Sequence, residues 1–353
     1  MSRYLISGYY GFGNAGDEAI LRAIVRNLRE CDPEAQLTVL SARPELTARE
    51  HSVEAVRRTD LLRIAACMRR ADLFISGGGG LLQDVTSSRS LLYYLSLIRL
   101  AQLQRCPTMI FANSMGPVRR PLNQVLARSV LNRTECITVR DQYSLQVLQD
   151  WGVTQPQVEL TADPVLLLPG STVAPEPQRI ALAIRNWKSG HDYQAEIIAA
   201  GRQLVQSGFQ LQFIPLHYSH DLSLAQRLAQ QVGAGASCLE QPQTFTQLLN
   251  ALAAAEVVIA MRLHALIMAA ICLRPCVGIS YDPKVTGFLE SFAQPIAGST
   301  DDLQASQLVT QVQEVYAKRQ QISREIAVTL EAQRRLAARN GQIACSLAKG
   351  VGR

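Results

Sequence analysis

The sequence has few aromatic residues, few charged residues and no long uninterrupted apolar run. Aromatic residues make up 6% and charged residues 18% of the 353 residues, whereas 48% are hydrophobic. This composition excludes disordered, collagen-like and coiled-coil proteins, because those classes need fewer apolar residues or a fixed repeat. The chain is also about twice the usual domain length of roughly 150 residues, so the sequence predicts two domains with sizeable cores.

The sequence also lacks a recognisable leader, membrane span or metal-binding cluster. The most apolar stretch, 257–279, is interrupted by Arg262, His264 and Arg274, so it falls short of a span of about 20 clean apolar residues. The eight cysteines are scattered, without a CxxC pair or zinc-type spacing, which predicts buried thiols, a reducing compartment and no metal site. We therefore expect a cytoplasmic protein.

Basic residues exceed acidic ones, which indicates anionic partners. The net charge is +6, and the residues from 318 onward hold eight basic against two acidic side chains. A basic terminal tract over 303–353 is compatible with peripheral contact to anionic membrane lipid, and equally with a solvated helix face. No basic run with interleaved aromatic residues is present, so nucleic acid is not an expected partner. The sequence assigns no oligomeric state.

Short apolar runs alternate with segments of helical period, which is typical of a parallel α/β sheet. Segment 169–178 is rich in proline and small polar residues and predicts a linker. The predicted domains are 1–168 and 179–302, two Rossmann-like domains facing a cleft, followed by the helical tract 303–353. The predicted strands are 4–7, 36–40, 73–76, 108–111, 136–139, 179–184, 211–214, 257–260 and 276–279. The predicted helices are 18–29, 61–70, 90–104, 123–132, 141–151, 193–207, 223–232, 244–255, 263–272 and about 303–338.

A first glycine-rich loop follows the first predicted strand and opens a helix. Gly11, Gly13 and Gly16 fit the pattern GxGxxG, and the loop amides with the helix N-terminus suit an anion. Asp17 beside Glu18 argues against a pyrophosphate at this position. Two alternatives remain open: an NADP site in which Arg43 contacts the phosphate, and a tight turn capped by Asn14 or Asp17.

Further loops follow the next predicted strands of the first half. Gly78, Gly79 and Gly80 belong to a run of four glycines, which allows a ligand to approach the backbone closely. Arg140 follows the strand 136–139, where contact with substrate and a local ion pair beside the helix cap Asp141 are equally good interpretations.

In the second half, basic residues and histidines stand at predicted strand ends. Arg185 and His217 each follow a strand, and Arg262 with His264 follows the apolar strand 257–260 at the start of a helix. Lys284 follows the next strand. A guanidinium in such apolar surroundings needs an anionic partner, so the pattern predicts a phosphate-bearing ligand. The alternative is a structural pair such as Arg262 with Asp282.

Four ordered motifs, GYYGFGNAGDEAIL, FISGGGGLLQD, MRLHALI and SYDPKV, resemble the polysaccharide pyruvyltransferase family, especially its cell-surface-anchoring (CsaB-type) branch. The resemblance runs from residue 4 to about 290. It implies a GT-B-like fold and a transferase that moves pyruvate from phosphoenolpyruvate onto a sugar as a cyclic ketal. The implied acceptor is an N-acetylmannosamine residue of a lipid-linked cell-wall polysaccharide precursor, ketalised at O4 and O6 for surface-layer anchoring. The segment Asn113 to Gly116 departs from the family pattern.

The resemblance also implies roles for individual residues. The family's Arg-x-His motif, associated with phosphoenolpyruvate, falls on Arg262 and His264, its lysine on Lys284 and its loop acid on Asp17. We expect the two cations to bind phosphate and carboxylate, His264 to bind phosphate or donate a proton, and Asp17 to act as base. No cofactor beyond the donor substrate is expected. The alternatives are a nucleotide-sugar glycosyltransferase of the same fold and, less favoured, an NADP-dependent oxidoreductase.

Overall fold

The computed structural model describes residues 1–85, 87–241 and 244–350. The chain divides into two compact units: unit 1 comprises Met1–Leu167 with the residues from Gln333 onward, and unit 2 comprises Leu168–Ala332. Each unit contains a parallel sheet flanked by helices, which confirms the predicted α/β class. Residues 168–178 contain neither helix nor strand. Residues 351–353, the end of the predicted basic tract, lie outside the described residues.

Unit 1 is built on a parallel sheet of strand order β3-β2-β1-β4-β5-β6-β7. Its strands are β1 (Arg3–Ser7), β2 (Gln36–Ser41), β3 (Glu54–Arg57), β4 (Leu73–Ser76), β5 (Thr108–Asn113), β6 (Cys136–Val139) and β7 (Gln157–Leu160). Its helices are α1 (Ala15–Cys31), α2 (Pro44–His51), α3 (Leu61–Met68), α4 (Ser88–Leu103), α5 (Pro121–Leu131) and α6 (Gln142–Asp150).

The strand order fixes which helices share a face of this sheet. Crossovers between parallel strands are right-handed, so α1 and α2, which connect strands toward one edge, lie on one face. The connections through α3, α4, α5 and α6 run toward the other edge and lie on the opposite face. One core cluster accordingly joins buried residues of these four helices to the sheet, among them Ile64, Ile98, Leu131 and Leu148.

Unit 2 repeats the plan with strand order β10-β9-β8-β11-β12-β13. Its strands are β8 (Arg179–Ala183), β9 (Gln210–Phe213), β10 (Ala236–Cys238), β11 (Val257–Ala260), β12 (Cys276–Ser280) and β13 (Ile296–Ser299). Its helices are α7 (Tyr193–Gln206), α8 (Tyr218–Val232), α9 (Phe245–Ala253), α10 (Leu263–Ile271), α11 (Pro283–Ser291) and α12 (Ala305–Ala317), and α13 (Arg319–Gly350) begins here and continues into unit 1.

The strands that the sequence pattern misses within the described residues are β3, β7, β10 and β13, the outer strands of the two sheets. The central strands β5 and β11 are buried along their whole length and therefore read as apolar runs. The outer strands β3 and β7 consist mostly of exposed and half-buried positions, with one buried side chain in β3 and none in β7. An apolar run is thus a signature of central strands only.

The predicted single helical tract over 303–338 is wrong, because the helix is interrupted at Lys318. There α12 ends, and the Arg319 guanidinium donates to the Tyr316 carbonyl oxygen at 2.9 Å. The Lys318 N–H also points to this carbonyl, so the Arg319 side chain adds a second donor at the end of the helix. The second helix, α13, then runs to Gly350, beyond the predicted end.

Two further expectations concern thiols and membrane spans. All eight cysteines are free, and five of them are buried, which confirms the prediction of buried thiols. Among the residues that the structure describes, no helix combines the length and the apolarity needed to cross a bilayer.

Candidate functional site

The first glycine loop carries Asp17 in the first turn of α1. Asn14 caps this helix, since its Oδ1 accepts from the Gly16 N–H at 3.2 Å, and its Nδ2 donates to Asp17 Oδ2 at 2.5 Å. Glu18 accepts from the Gly11 N–H at 2.8 Å. Gly11 and Gly13 have φ of +80° and +74°, a conformation that favours glycine. The capped turn is therefore present, and it orients the Asp17 carboxylate.

The two glycine loops meet at Asp17. A methyl group on Gly79, where φ is +100°, would lie 3.3 Å from Asp17 Oδ1. One on Gly78 would lie 3.1 Å from Ile20 Cγ2, whereas one on Gly80 would have nothing within 4 Å. The structure thus brings together the two motifs of the first half, with Gly79 as the closest approach to the carboxylate.

Buried hydroxyl groups lie beneath this junction. The side-chain oxygens of Ser7, Ser76 and Tyr10 are buried and have no hydrogen-bond partner among the described residues. A methyl group on Gly77 would lie 2.2 Å from the Tyr10 hydroxyl oxygen. Burial, followed by the charge of Asp17, raises the pKa of Tyr10 well above its ordinary value. The phenol therefore stays protonated and remains a hydrogen-bond donor.

Arg140 follows β6 and lies in a closed network. Its guanidinium pairs with Asp163, both side chains being 5% exposed, and its Nε donates to Ser114 Oγ at 2.8 Å. Asp141 caps α6 by accepting from the Ser144 N–H at 2.7 Å. The helix cap of the structural alternative is present, but the ion pair of Arg140 is with Asp163, 23 positions away, rather than a local one. A substrate-binding role for Arg140 stays a prediction.

The basic residues of unit 2 follow adjacent strands. β9, β8, β11 and β12 are neighbours in the sheet, and their carboxyl ends lie at the same edge. Shortly after these strands come, in the same order, His217, Arg185, Arg262 and Lys284. Loops at the carboxyl ends of parallel strands are where α/β proteins bind ligands.

Arg262 has an anionic partner, but not the predicted one. Its guanidinium pairs with Asp221, whose side chain is 1% exposed, and the predicted pairing with Asp282 is wrong. Asp221 also accepts from the His217 N–H at 2.9 Å. Because a buried carboxylate is costly without a counter-charge, this pair fixes the direction of Arg262 at the end of β11.

Arg185 and His217 are held by aromatic neighbours. The Arg185 guanidinium lies 5.0 Å from the Trp187 ring centroid and 4.9 Å from that of Tyr281, and it donates to the Tyr281 hydroxyl at 2.9 Å. His217 stacks on His220 at 4.2 Å. Burial first, and then the charges of His220 and Arg262, lower the pKa of His217, so its ring is neutral at neutral pH.

Lys284 and His264 complete the predicted set. Asp282 caps α11 by accepting from the Lys284 N–H at 3.1 Å, and the Lys284 Nζ lies 3.1 Å from Asp282 Oδ2. His264 lies in the first turn of α10 and is half-buried. Within the described part of the chain, no three or more His, Cys, Asp and Glu side chains are grouped so that they could hold a metal ion.

Two residues at these sites, Asp221 and Arg58, were not identified from the sequence pattern. Asp221 is the first case. It lies in α8, which begins at Tyr218, but it falls outside the predicted helix 223–232. The spacing of four residues from His217 was the one local sign of its contact with that histidine. Arg58 is the second case: its guanidinium lies 4.2 Å from the Tyr93 ring centroid and 5.0 Å from that of Phe12 in the first glycine loop. These contacts span distant parts of the chain, so no local pattern marks them.

Comparison with known proteins identifies the family. The model of the family described as polysaccharide pyruvyl transferase matches residues 14–283. This range holds Asp17, the four-glycine run, Arg185, Arg262 and His264, and it ends one residue before Lys284. The chain belongs to the polysaccharide pyruvyl transferase family. Family membership makes it a transferase of that type and confirms the resemblance of the four motifs.

A curated relative of this pyruvyl transferase is the amylovoran biosynthesis protein AmsJ of Erwinia amylovora. The two are 22% identical over 421 aligned positions, which cover 99% of this chain and 100% of AmsJ.

Solved structures share the fold at low identity. HepE of Anabaena, in complex with UDP, has a TM-score of 0.63 at 15% identity and covers 99% of this chain and 100% of its own. MnaA of S. aureus, also with UDP, has a TM-score of 0.63 at 9% identity, covering 92% and 90%. UDP-GlcNAc 2-epimerase of Methanocaldococcus jannaschii has 0.61 at 12%, covering 89% and 92%. These similarities confirm the GT-B-like fold with two Rossmann-like domains.

Proposed function

We propose that the chain transfers pyruvate from phosphoenolpyruvate to an N-acetylmannosamine-type sugar of a lipid-linked cell-wall polysaccharide precursor. The product is a 4,6-ketal, an acidic sugar of the kind that anchors surface-layer proteins, and phosphate is released. Family membership supports pyruvyl transfer onto polysaccharide. The observation that carries the donor assignment is the row of basic side chains after the adjacent strands β8, β11 and β12.

Phosphoenolpyruvate carries a phosphate and a carboxylate, so its binding calls for several fixed cations. Arg262 is held in direction by Asp221, and Arg185 is held by Tyr281 and Trp187. A guanidinium can bind either anion through two parallel hydrogen bonds, while the Lys284 ammonium adds a point charge. We assign Arg262 and Lys284 to binding the phosphate and the carboxylate of the donor. We place Arg185 and His217 beside them in the same site.

The reaction balances without an external oxidant or reductant. The methylene carbon of the donor gains a proton, and the oxygen of one sugar hydroxyl bonds to C2 while losing its proton. The C2–O bond to phosphate breaks, and the second hydroxyl oxygen bonds to C2 as its own proton leaves. One proton stays on the new methyl group and one leaves with phosphate. The chain therefore has to supply an acid, a base and cations that stabilise the leaving phosphate.

Asp17 is our candidate for the base and His264 for the acid or phosphate ligand. The Asn14 amide donates to Asp17 at 2.5 Å and so fixes the orientation of its carboxylate, and a fixed orientation is what a general base needs. Gly79 packs against the other carboxylate oxygen, in keeping with an acceptor-side role for the glycine loops including Gly13, Gly16, Gly78 and Gly80.

A second candidate is a nucleotide-sugar glycosyltransferase. HepE and MnaA, which share the fold, were solved with UDP, and the same strand ends would accept a donor diphosphate. This alternative predicts sugar transfer from a UDP-sugar, without phosphate release from phosphoenolpyruvate.

Acceptor-dependent release of phosphate from phosphoenolpyruvate tests the proposal. Arg262→Ala should abolish release, while Arg324→Gln, an exposed position on α13, should leave it unchanged. Asp17→Asn should block transfer but spare donor binding. Donor binding can be followed by the fluorescence of Trp187, which stacks near Arg185, in a Trp151→Phe background.

Two results would contradict the assignments. Near-normal phosphate release by Arg262→Ala would remove that residue from the donor site. Loss of donor affinity in Asp17→Asn would make Asp17 a binding residue rather than the base.

A further inference from the structure

The outer surface of α3, α4 and α5 in unit 1 combines exposed leucines with arginines. These helices lie on one face of the sheet, and α4 packs against both α3 and α5. We refer to their solvent-facing side as the α3–α5 face. None of the three helices contains an aspartate or glutamate.

The apolar part of this face is extensive. On α5, Leu122, Val125 and Leu126 are 70%, 63% and 39% exposed and form one stripe, while Ala127 and Leu131 pack inward. Leu62 on α3 is 86% exposed. Leu61 on α3 and Leu92 on α4 are also exposed to solvent. Large side chains that cluster on the solvent side of several helices mark a binding surface.

The three helices and the segments that connect them are strongly basic. The segment 61–133, which contains all three helices, has ten arginines against two aspartates, a net charge of +8. None of these arginines forms an ion pair among the described residues. On the helices themselves lie Arg63, Arg89, Arg99 and Arg128.

The predicted membrane contact of the tract 303–353 has weaker support. Arg319 pairs with Glu256, Arg339 pairs with Glu159, and the Arg334 Nε donates to the Leu166 carbonyl oxygen. These three cations are thus engaged within the protein.

We propose that the α3–α5 face docks the protein on a bilayer that contains anionic phospholipid. Leucines insert into the interface between headgroups and acyl chains, and arginines bind the headgroup phosphates while their apolar stems follow the leucines inward. A second copy of the same face is disfavoured, because it would bring the four arginines of these helices against their own copies with no acidic residue on the helices between them. Nucleic acid would leave the leucines unused. The proposal goes beyond pyruvyl transfer and stands independently of the donor.

Flotation with vesicles tests this docking surface. The full-length protein should float with phosphatidylcholine vesicles that contain phosphatidylglycerol and not with phosphatidylcholine alone. A triple variant Arg63→Gln, Arg89→Gln, Arg128→Gln should lower partitioning roughly a hundredfold, since each basic residue near an anionic surface contributes about fivefold. The variant Leu122→Ser, Val125→Ser, Leu126→Ser should lower it at least about tenfold.

A matched control changes exposed residues of α13 instead. Val328→Ser with Arg324→Gln and Lys349→Gln should retain flotation, and all variants should keep the wild-type circular dichroism. Equal loss of flotation in the α13 variant, or no flotation of the wild type, would overturn the proposal. So would retention on duplex DNA that matches vesicle binding and survives the three serine substitutions.

Discussion

Asp221 sets the direction of Arg262, one of the cations that we propose for the donor site. Its carboxylate is 1% exposed, pairs with Arg262 and accepts from the His217 N–H at 2.9 Å. The sequence identifies Arg262, because a cation among apolar residues needs a partner. It does not identify that partner, since the pair joins residues 41 positions apart in sequence. Candidate cations were thus predictable from local pattern, and the counter-charges that orient them were not.

Asp221→Asn should lower the free energy of unfolding by about 3 kcal/mol, because it leaves the Arg262 guanidinium without its charged partner. The amide still accepts from the His217 N–H, so the effect is mainly one of charge. Urea denaturation measures the change. Asp282→Asn is the matched control, since asparagine also caps helices and the pair with Lys284 is more exposed. It should cost less than about 1 kcal/mol, and equal losses would contradict the role of Asp221.

The four-glycine loop offers a comparison between two of its members. Gly77→Ala should destabilise the protein by about 1–3 kcal/mol, because the new methyl group would lie 2.2 Å from the buried Tyr10 hydroxyl and 3.1 Å from the Ser7 carbonyl oxygen. Gly80→Ala should stay within about 0.5 kcal/mol of wild type, since nothing lies within 4 Å. Thermal unfolding of both variants checks this, and a reversed order would show that the loop packs differently.

At the scale of elements, burial decides which parts of the fold the sequence predicts. Every central strand was predictable, because a strand covered on both faces is an apolar run. The outer strands β3, β7, β10 and β13 were not, because their sequences resemble loops. The break at Lys318 was equally hidden, since the Arg319 guanidinium that follows it pairs with Glu256, a residue far outside the helical pattern.

Glu256 forms an ion pair with Arg319 at the start of α13, and we expect the stability that this pair contributes to depend on pH. Burial alone would raise the pKa of Glu256, but hydrogen bonds from the Gln178 N–H at 2.8 Å and the Arg319 Nε at 2.7 Å hold it below its ordinary 4.5. A carboxyl whose pKa is lowered by folding stabilises the folded state above 4.5, and the contribution is lost as the pH falls through the folded pKa.

Glu256→Gln should therefore lose at least about 1 kcal/mol at neutral pH, and the difference from wild type should shrink on acidification below about pH 4.5. Urea denaturation at neutral and acidic pH measures both differences. Arg319→Gln should reproduce the loss at neutral pH. A difference that is constant across pH would contradict the assignment to Glu256.

At the scale of the whole molecule, the net charge of +6 hides an uneven distribution. The segment 61–133 carries +8 and the residues from 318 onward carry +6, so the remainder is negative. The sequence drew attention to the terminal tract because its charges are contiguous in one helix. The fold instead gathers charges from α3, α4 and α5 on one face, which only the strand order reveals. The α3–α5 face would bring the protein to the lipid that bears its proposed acceptor.

The central claim, transfer of pyruvate from phosphoenolpyruvate, is tested most directly by offering both candidate donors at once. The protein is incubated with isotopically labelled phosphoenolpyruvate, a UDP-sugar and a lipid-linked N-acetylmannosamine acceptor, and the acceptor is analysed by mass spectrometry. The account predicts that the acceptor gains the labelled pyruvate as a ketal and that one phosphate is released for each acceptor modified. Gain of a sugar from the UDP-sugar, with no label incorporated, would contradict it.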